Sequence, residues 1–170
     1  MKQTTLFLLI AVIIMAFSIT PQAQGQTLPE VIVFARNYKY MRDVNSKDAA
    51  QPVKLLERKA ASYDVKNSEF YEDDYDNYFI TFYLPSGYIL AVYDQNGKLL
   101  HTAERYKNVA LPEAVKKAVA ARYPNWSITN DIYRVTYDNT ADSKMEYKLV
   151  LMNGSKRLRV KLSDEGVFAD

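Results

Sequence analysis

Four acidic side chains lie close together in the segment YEDDYDNY, and carboxylate oxygens are the ligands that calcium prefers in proteins. They are Glu72, Asp73, Asp74 and Asp76. Because successive residues of a strand point to opposite faces, the four carboxylates can converge only if this segment is a loop. The sequence favours a solvated acidic turn before a strand. A calcium site, and with it a calcium-responsive periplasmic sensor, is the alternative.

A second segment, YDQNGKLL, has the spacing of the first part of a calcium-binding loop. An EF-hand loop that began at Asp94 would need a glutamate at its last ligand position, and Arg105 stands there instead. Asn96 and Gly97 both tolerate positive φ angles, and together they form the strongest short hairpin signal. We therefore predict a turn between two strands at this segment.

The single histidine, His101, lacks the sequence context of a catalytic residue. Thr102 and Glu104 lie nearby, but the chain contains no nucleophile-elbow motif and no glycine-rich phosphate-binding motif. The absence of cysteine excludes thiol mechanisms and most zinc sites. We predict that the protein is not an enzyme and takes no cofactor, with a hydrolase of unfamiliar active site as the least favoured alternative.

A basic strand near the C-terminus gives the first indication of a binding surface. Arg157, Arg159 and Lys161 alternate with apolar residues, so they share one face of the predicted strand. The pattern favours a solvent-facing sheet surface, and a groove for an acidic peptide or an anionic polymer is the alternative. The formal net charge of +2 gives no electrostatic basis for nucleic-acid binding.

Tyrosine is the unusual feature of the composition, with 14 residues among 170. Its large ring and polar hydroxyl suit both half-buried strands and contact surfaces. We predict that Tyr83, Tyr88 and Tyr147 lie on strands and are partly exposed. Together with the basic strand, they predict an open aromatic and basic sheet face that recognises a protein or peptide in the cell envelope.

The N-terminus has the three-part plan of a secretory signal peptide. Lys2 precedes the apolar run Leu6–Phe17, and small and polar residues follow. The run is shorter than the roughly 20 residues that a membrane-spanning helix needs. We predict a signal peptide at residues 1–25 with cleavage after Gly25, or alternatively after Ala23. The expected location is periplasmic or secreted, with no membrane span after cleavage.

The rest of the chain predicts an α+β fold. Residues 26–47 are expected to form an N-terminal strand, at Glu30–Arg36, followed by a linker. A helix is predicted at Ala49–Ser62, and a second between Pro112 and Pro124, because proline favours the first helical turn and disfavours helix in the residue before it. Alternating apolar residues predict three strands after each helix.

The two halves of this pattern repeat. The positions that correspond at a constant offset of 60 residues are Pro52, Ala60, Ala61 and Tyr63 in the first half and Pro112, Ala120, Ala121 and Tyr123 in the second. We therefore predict two repeated helix-plus-antiparallel-sheet units, at residues 48–107 and 108–170, with the helices packed on one face of the sheet.

The segment VYDQNGKLLHTAERYKNVALPEAVKKAVAARYPNW, and LPEAVKKAVAARYP above all, resembles PepSY-like proteins, which are related in fold to the β-lactamase inhibitor protein (BLIP-like). These are small secreted proteins of Bacteroidetes-type bacteria. The likeness covers roughly residues 48–170. It implies binding or inhibition in the periplasm, and it carries no family site residues onto this chain.

Overall fold

The computed structural model describes residues 36–169, which form three helices and six strands. In chain order these are α1 (Tyr38–Val44), α2 (Gln51–Ala61), β1 (Asn77–Leu84), β2 (Gly87–Asp94), β3 (Leu99–Lys107), α3 (Glu113–Arg122), β4 (Ser127–Asp138), β5 (Lys144–Asn153) and β6 (Lys156–Leu162). The predicted signal peptide, and the predicted strand except for its last residue, lie outside the described residues.

The two predicted helices are confirmed, within a residue or two at their ends. Pro52 lies in the first turn of α2, where its missing N–H costs no hydrogen bond. Pro112 immediately precedes α3, and α3 ends before Pro124. Helix α1 was missed, because the sequence predicted a linker there. Its buried residues Tyr40 and Val44 are four apart, which is the spacing of one helix face.

The strands form one antiparallel sheet in the order β1-β2-β3-β4-β5-β6. The turn between β2 and β3 is confirmed at the predicted place. Gly97 there adopts a φ of 74°, and the N–H of Asp94 donates to the Lys98 carbonyl at 2.9 Å. Gly154 turns the chain between β5 and β6 with a φ of 58°. Glycine suits both turns because it has no Cβ to clash at positive φ.

One face of the sheet, which we call the covered face, supplies most of the hydrophobic core. Helix α2 packs over β1 and β2, and α1 contacts α2 and β4. Val115 and Val119 of α3 belong to the same cluster of buried residues. The largest fully buried side chains include six tyrosines: Tyr40, Tyr93, Tyr106, Tyr133, Tyr137 and Tyr147.

The predicted fold of two repeated helix-plus-sheet units is wrong. The described residues form a single six-stranded sheet with three short helices, and strands outweigh helices. The residues that match in sequence do not occupy matching environments: Ala60 and Ala61 are fully buried, whereas Ala120 and Ala121 are exposed. Pairing of β3 with β4 along His101–Lys107 makes the sheet continuous across the supposed boundary. A shared helical spacing therefore did not imply shared packing.

None of the helices in residues 36–169 combines the length and apolar character that crossing a membrane would require.

Candidate functional site

The face of the sheet opposite the covered face is its candidate functional surface, and we call it the open face. Alternation along each strand assigns side chains to it, because neighbours on a strand point to opposite faces. Its members are Phe79, Thr81 and Tyr83 on β1; Tyr88, Leu90 and Val92 on β2; His101, Ala103, Arg105 and Lys107 on β3; Asn130, Ile132, Arg134, Thr136 and Asp138 on β4; Lys144, Glu146, Lys148, Val150 and Met152 on β5; and Arg157, Arg159 and Lys161 on β6.

An apolar patch occupies one end of the open face, and we call it the aromatic end. Phe79 is 79% exposed, Tyr83 is 78% exposed, Leu90 is 47% exposed and Tyr88 is 38% exposed. The register places Tyr83 directly opposite Tyr88, so their rings lie side by side on neighbouring strands. Exposed apolar side chains that adjoin in this way are characteristic of interaction sites, whereas scattered ones are not. The predicted exposure of Tyr83 and Tyr88 is confirmed.

The aromatic end continues around the edge of the sheet. Strand β1 has a partner on only one side among the described residues, because it is the first strand in the sheet order. A cleft of about 510 Å³ lies beside it, and its walls include the exposed side chains of Phe70 and Tyr75. The apolar surface therefore extends beyond the strands that form the face.

Cations occupy the opposite end of the open face. Arg157, Arg159 and Lys161 are all exposed and lie on the side of β6 opposite Val160 and Leu162, as predicted. Among the described residues, none of the three cations forms an ion pair. Their charges are therefore available to an acidic partner.

Between the two ends, both carboxylates of the open face have basic neighbours. Glu146 lies 3.3 Å from the Nζ of Lys148, and 3.9 Å from both a guanidinium nitrogen of Arg134 and the Nζ of Lys144. Nδ1 of His101 lies 3.1 Å from a carboxylate oxygen of Asp138 on the adjacent strand. The middle of the face thus separates the apolar end from the cationic end.

The residues around His101 are divided between the two faces of the sheet. His101 is on the open face, whereas Thr102 and Glu104 are buried on the covered face. The hydroxyl of Thr102 donates to Glu104 at 2.9 Å, so it is directed away from the imidazole. Hydrogen bonds from the Thr140 hydroxyl and N–H are the main causes that lower the pKa of Asp138. The pair with His101 is an exposed cross-strand contact.

Tyr147 was predicted to be partly exposed, and that prediction is wrong. It is 1% exposed on the covered face, where its ring stacks on Tyr133 with centroids 4.4 Å apart. The sequence contained the signal, because Tyr147 shares its parity along β5 with the buried Leu149 and Leu151. Tyr147 therefore belongs to the core and not to the candidate surface.

The acidic residues Glu72, Asp73, Asp74 and Asp76 lie in an exposed loop before β1. Within residues 36–169, no three histidine or acidic side chains are placed to hold a metal ion together. Two backbone carbonyls of this loop already accept hydrogen bonds, that of Glu72 from the Tyr78 hydroxyl and that of Asp76 from the N–H of Gln95. The geometry gives the calcium alternative no support.

The carboxylate of Asp94 stabilises the turn that was compared with a calcium loop. Its Oδ1 accepts the N–H of Asn96 at 2.8 Å and the N–H of Lys98 at 2.9 Å. Such side-chain-to-backbone bonds are the usual reason for aspartate at the start of a turn.

The sequence did not reveal a buried polar cluster beneath α2. Glu104 is 3% exposed, and its carboxylate accepts hydrogen bonds from the hydroxyls of Tyr40, Thr102 and Tyr106 at 2.9, 2.9 and 3.0 Å. Glu57 of α2 is 1% exposed, and its Oε1 has no hydrogen-bond partner among the described residues. Because both carboxyls are shielded from solvent, this cluster belongs to the core and not to a site open to substrate.

Burial raises the pKa of both buried glutamates, and the repulsion of Glu104 raises that of Glu57 further. The three hydroxyl donors partly offset the rise for Glu104, since they stabilise its charged form. Glu57 could have been found from helical spacing, because it follows the buried Val53 by four residues. Glu104 could not, because one of its donors, Tyr40, is distant in sequence.

Comparisons of the chain with models of protein families, with curated proteins and with solved structures found no match. The resemblance to PepSY-like and BLIP-like proteins therefore stays a prediction.

Proposed function

We propose that this chain is an exported, non-enzymatic binding protein that recognises a protein or peptide in the cell envelope through the open face of its sheet. The observation that carries the proposal is the aromatic end, where Phe79 and Tyr83 are 79% and 78% exposed on the same face of β1, the first strand in the order of the described sheet. Aromatic side chains are enriched in interface cores because they bury much area at small entropic cost.

The two ends of the open face would divide the work of recognition. The aromatic end supplies area that leaves water on binding, which is the main source of affinity. The cations of β6 favour acidic partners and speed their approach. The ion pairs around Glu146 leave a surplus of positive charge, since one carboxylate is shared by Arg134, Lys144 and Lys148, and this surplus also favours an acidic partner.

The proposal is tested by capture from a periplasmic extract on immobilised protein that begins at Gln26. The double variant Phe79→Ser/Tyr83→Ser removes the most exposed rings of the aromatic end. Leu55→Ser is the matched control, because Leu55 is 59% exposed on helix α2, away from the open face. We expect the double variant to reduce recovery of the captured protein by about tenfold, as loss of interface hot spots does, and the control to retain it.

Equal recovery with the wild type and the double variant would refute the role of the open face. Recovery of the chain itself as the main captured protein would make the face a self-association surface, which contradicts recognition of another protein. Circular dichroism of each variant checks that the fold is retained.

Export is tested separately, by fractionation of cells that express the full chain and N-terminal sequencing of the product. A periplasmic product that begins at Gln26 supports the predicted cleavage after Gly25, and one that begins at Gln24 supports cleavage after Ala23. An unprocessed chain in the cytoplasm would refute the exported role.

A further inference from the structure

A groove of about 300 Å³ crosses β4, β5 and β6 on the open face, at the end opposite the aromatic end. The sheet register arranges the side chains that form it in two rows across the strands. The first row is Ile132, Lys148 and Lys161, and the second is Asn130, Val150 and Arg159. We call it the cationic groove. Its apolar floor and charged rim are the features of a recognition site with one preferred sign of charge.

Two of the three cations around the groove have no carboxylate partner within the described part of the chain. Lys148 pairs with Glu146 at 3.3 Å, but neither Arg159 nor Lys161 forms an ion pair with a described residue. Asp131 also borders the groove, yet it is buried, and its Oδ2 accepts the N–H of Val109 at 3.2 Å. The groove therefore has an excess of positive charge.

Two of these cations face each other directly. Lys148 on β5 is the register partner of Lys161 on β6, so their ammonium groups extend from opposing positions on one face. Like charges directly opposite each other destabilise an antiparallel pair. Glu146 pairs with Lys148 from one side, and an anion bound beside Lys161 would relieve the repulsion that remains.

We propose that the cationic groove binds an extended acidic segment of the partner, with one aliphatic side chain resting on Ile132 and Val150 and carboxylates beside Lys148, Arg159 and Lys161. This inference rests on the proposed function, since it specifies the partner chemistry at one end of the same face.

The size and spacing of the groove favour a peptide as its occupant. A volume of about 300 Å³ is at the lower end of ligand pockets and holds one or two side chains. The two rows are separated by two residues along each strand, or roughly 6.8 Å, which is also the spacing of alternate side chains in an extended peptide. Alternate side chains of an extended peptide point the same way, so a leucine and a glutamate two residues apart can meet the two rows at once.

Fluorescence anisotropy with a labelled peptide of sequence Glu-Glu-Leu-Glu-Glu tests the inference. Charge reversal of either groove cation, by Arg159→Glu or Lys161→Glu, is expected to weaken binding by about tenfold. Lys59→Glu is the matched control, because it reverses an exposed charge on helix α2, away from the open face. We expect the control to change affinity by less than about threefold, and high salt to weaken binding of the wild type.

Replacing leucine in the probe by serine tests the apolar floor, and Lys-Lys-Leu-Lys-Lys tests the sign of charge. Equal affinity for the leucine and serine peptides, an equal effect of Lys59→Glu, or no binding of the acidic probe would each overturn the inference. Binding of dodecanoate without binding of the peptide would also overturn it, because the groove would then accept an acyl chain. If Arg159→Glu and Lys161→Glu bind the acidic peptide as the wild type does while Phe79→Ser/Tyr83→Ser still reduces capture, the proposed function stands. Only the assignment of the groove is then refuted.

Discussion

The two faces of the sheet both carry tyrosine, and they use it differently. On the covered face, Tyr133 and Tyr147 stack with ring centroids 4.4 Å apart and are at most 1% exposed. On the open face, Tyr83 and Tyr88 lie directly opposite each other, and both are exposed. The same residue type in the same cross-strand arrangement thus serves as core packing on one face and as available contact area on the other.

The difference lies in what covers each face and where the hydroxyls go. The hydroxyl of Tyr93 donates to the Ala60 carbonyl of α2 at 2.6 Å, and that of Tyr106 donates to Glu104 at 3.0 Å. Such an acceptor stabilises a buried tyrosine, because an unpaired buried hydroxyl costs free energy. On the open face, water can take that role, so tyrosines can stay there without a partner. The contrast teaches that neighbours, and not residue type, decide between packing and recognition.

Truncating one tyrosine on each face is expected to give the largest difference between the faces, measured as a change in the free energy of unfolding. Tyr147→Ala removes a fully buried ring from the stack with Tyr133 and should lower the free energy of unfolding by about 3–5 kcal/mol. Tyr83→Ala removes an exposed ring and should change it by less than about 0.5 kcal/mol. Urea denaturation measures both. Similar losses for the two variants would show that the open face contributes to stability and would weaken its assignment as a binding surface.

The strands, and the sides to which some of their residues point, could be predicted from the sequence. In β5 and β6 the alternation is clean, and it assigned Arg157, Arg159 and Lys161 correctly to solvent. The prediction for Tyr147 was wrong because it rested on the residue type and not on the position of Tyr147 in the alternation. In β1 the pattern NYFITFYL is apolar on both faces, so alternation alone cannot say that Phe79 points outward. Only the packing of α2 on the other side decides it.

Local sequence patterns could not predict the buried polar cluster or the cationic groove. Glu104 is a charged residue among alternating positions, which predicts exposure. It is buried because hydroxyls from Tyr40, Thr102 and Tyr106 surround it, and Tyr40 lies on a helix that the sequence did not predict. The cationic groove depends on a register that joins three strands, and an offset of one residue would move its members to the other face.

The pH dependence of stability would sharpen the contrast between the faces, since the raised pKa values belong to the covered face. Burial raises the pKa of Glu57 to about 9 and that of Glu104 to about 7, from an ordinary value of 4.5. The folded protein therefore holds more protons than the unfolded chain between pH 4.5 and 9. The free energy of unfolding should be greatest at mildly acidic pH and fall as the pH rises through this window.

Substitution Glu57→Gln should flatten this dependence, because the amide that replaces the carboxyl cannot ionise and the repulsion on Glu104 is removed. We expect the loss of stability between about pH 5 and pH 9 to shrink by on the order of 2 kcal/mol, measured by denaturation at each pH. Lys54, whose charge favours ionised Glu57, is retained in the variant. Glu113→Gln is the control, because Glu113 is exposed on α3 and its substitution should leave the slope in this window unchanged. An unaltered slope for Glu57→Gln would mean that a group other than Glu57 causes the loss of stability in this pH window.

Two adjacent tyrosines of the covered face allow a finer test of how hydroxyls stabilise the core. Tyr106 and Tyr133 are register partners on β3 and β4, with ring centroids 6.2 Å apart. The hydroxyl of Tyr106 donates to Glu104, whereas that of Tyr133 has no partner among the described residues. We expect Tyr106→Phe to lower the free energy of unfolding by about 1–2 kcal/mol, and Tyr133→Phe to leave it unchanged or raise it by up to about 1 kcal/mol. Equal losses in thermal and urea denaturation would mean that Tyr133 also has an acceptor.

The smallest expected effect concerns the open face, where the stability of the free protein and its recognition of a partner are opposed. Lys161 faces Lys148 across the β5–β6 pair, so Lys161→Glu replaces a repulsion by an attraction. We expect this variant to raise the free energy of unfolding by about 0.5 kcal/mol at low salt and to lose the gain at high salt, because cross-strand charge pairs are of this size and are screened. Arg157→Glu, opposite the uncharged Met152, should show no such gain. If Lys161→Glu instead destabilises the protein, Lys161 already stabilises the free fold, and the repulsion that favours an anion in the groove does not exist. If Lys161→Glu stabilises the fold and also weakens binding of the acidic peptide, the positive charge of Lys161 lowers the stability of the free protein and contributes to binding.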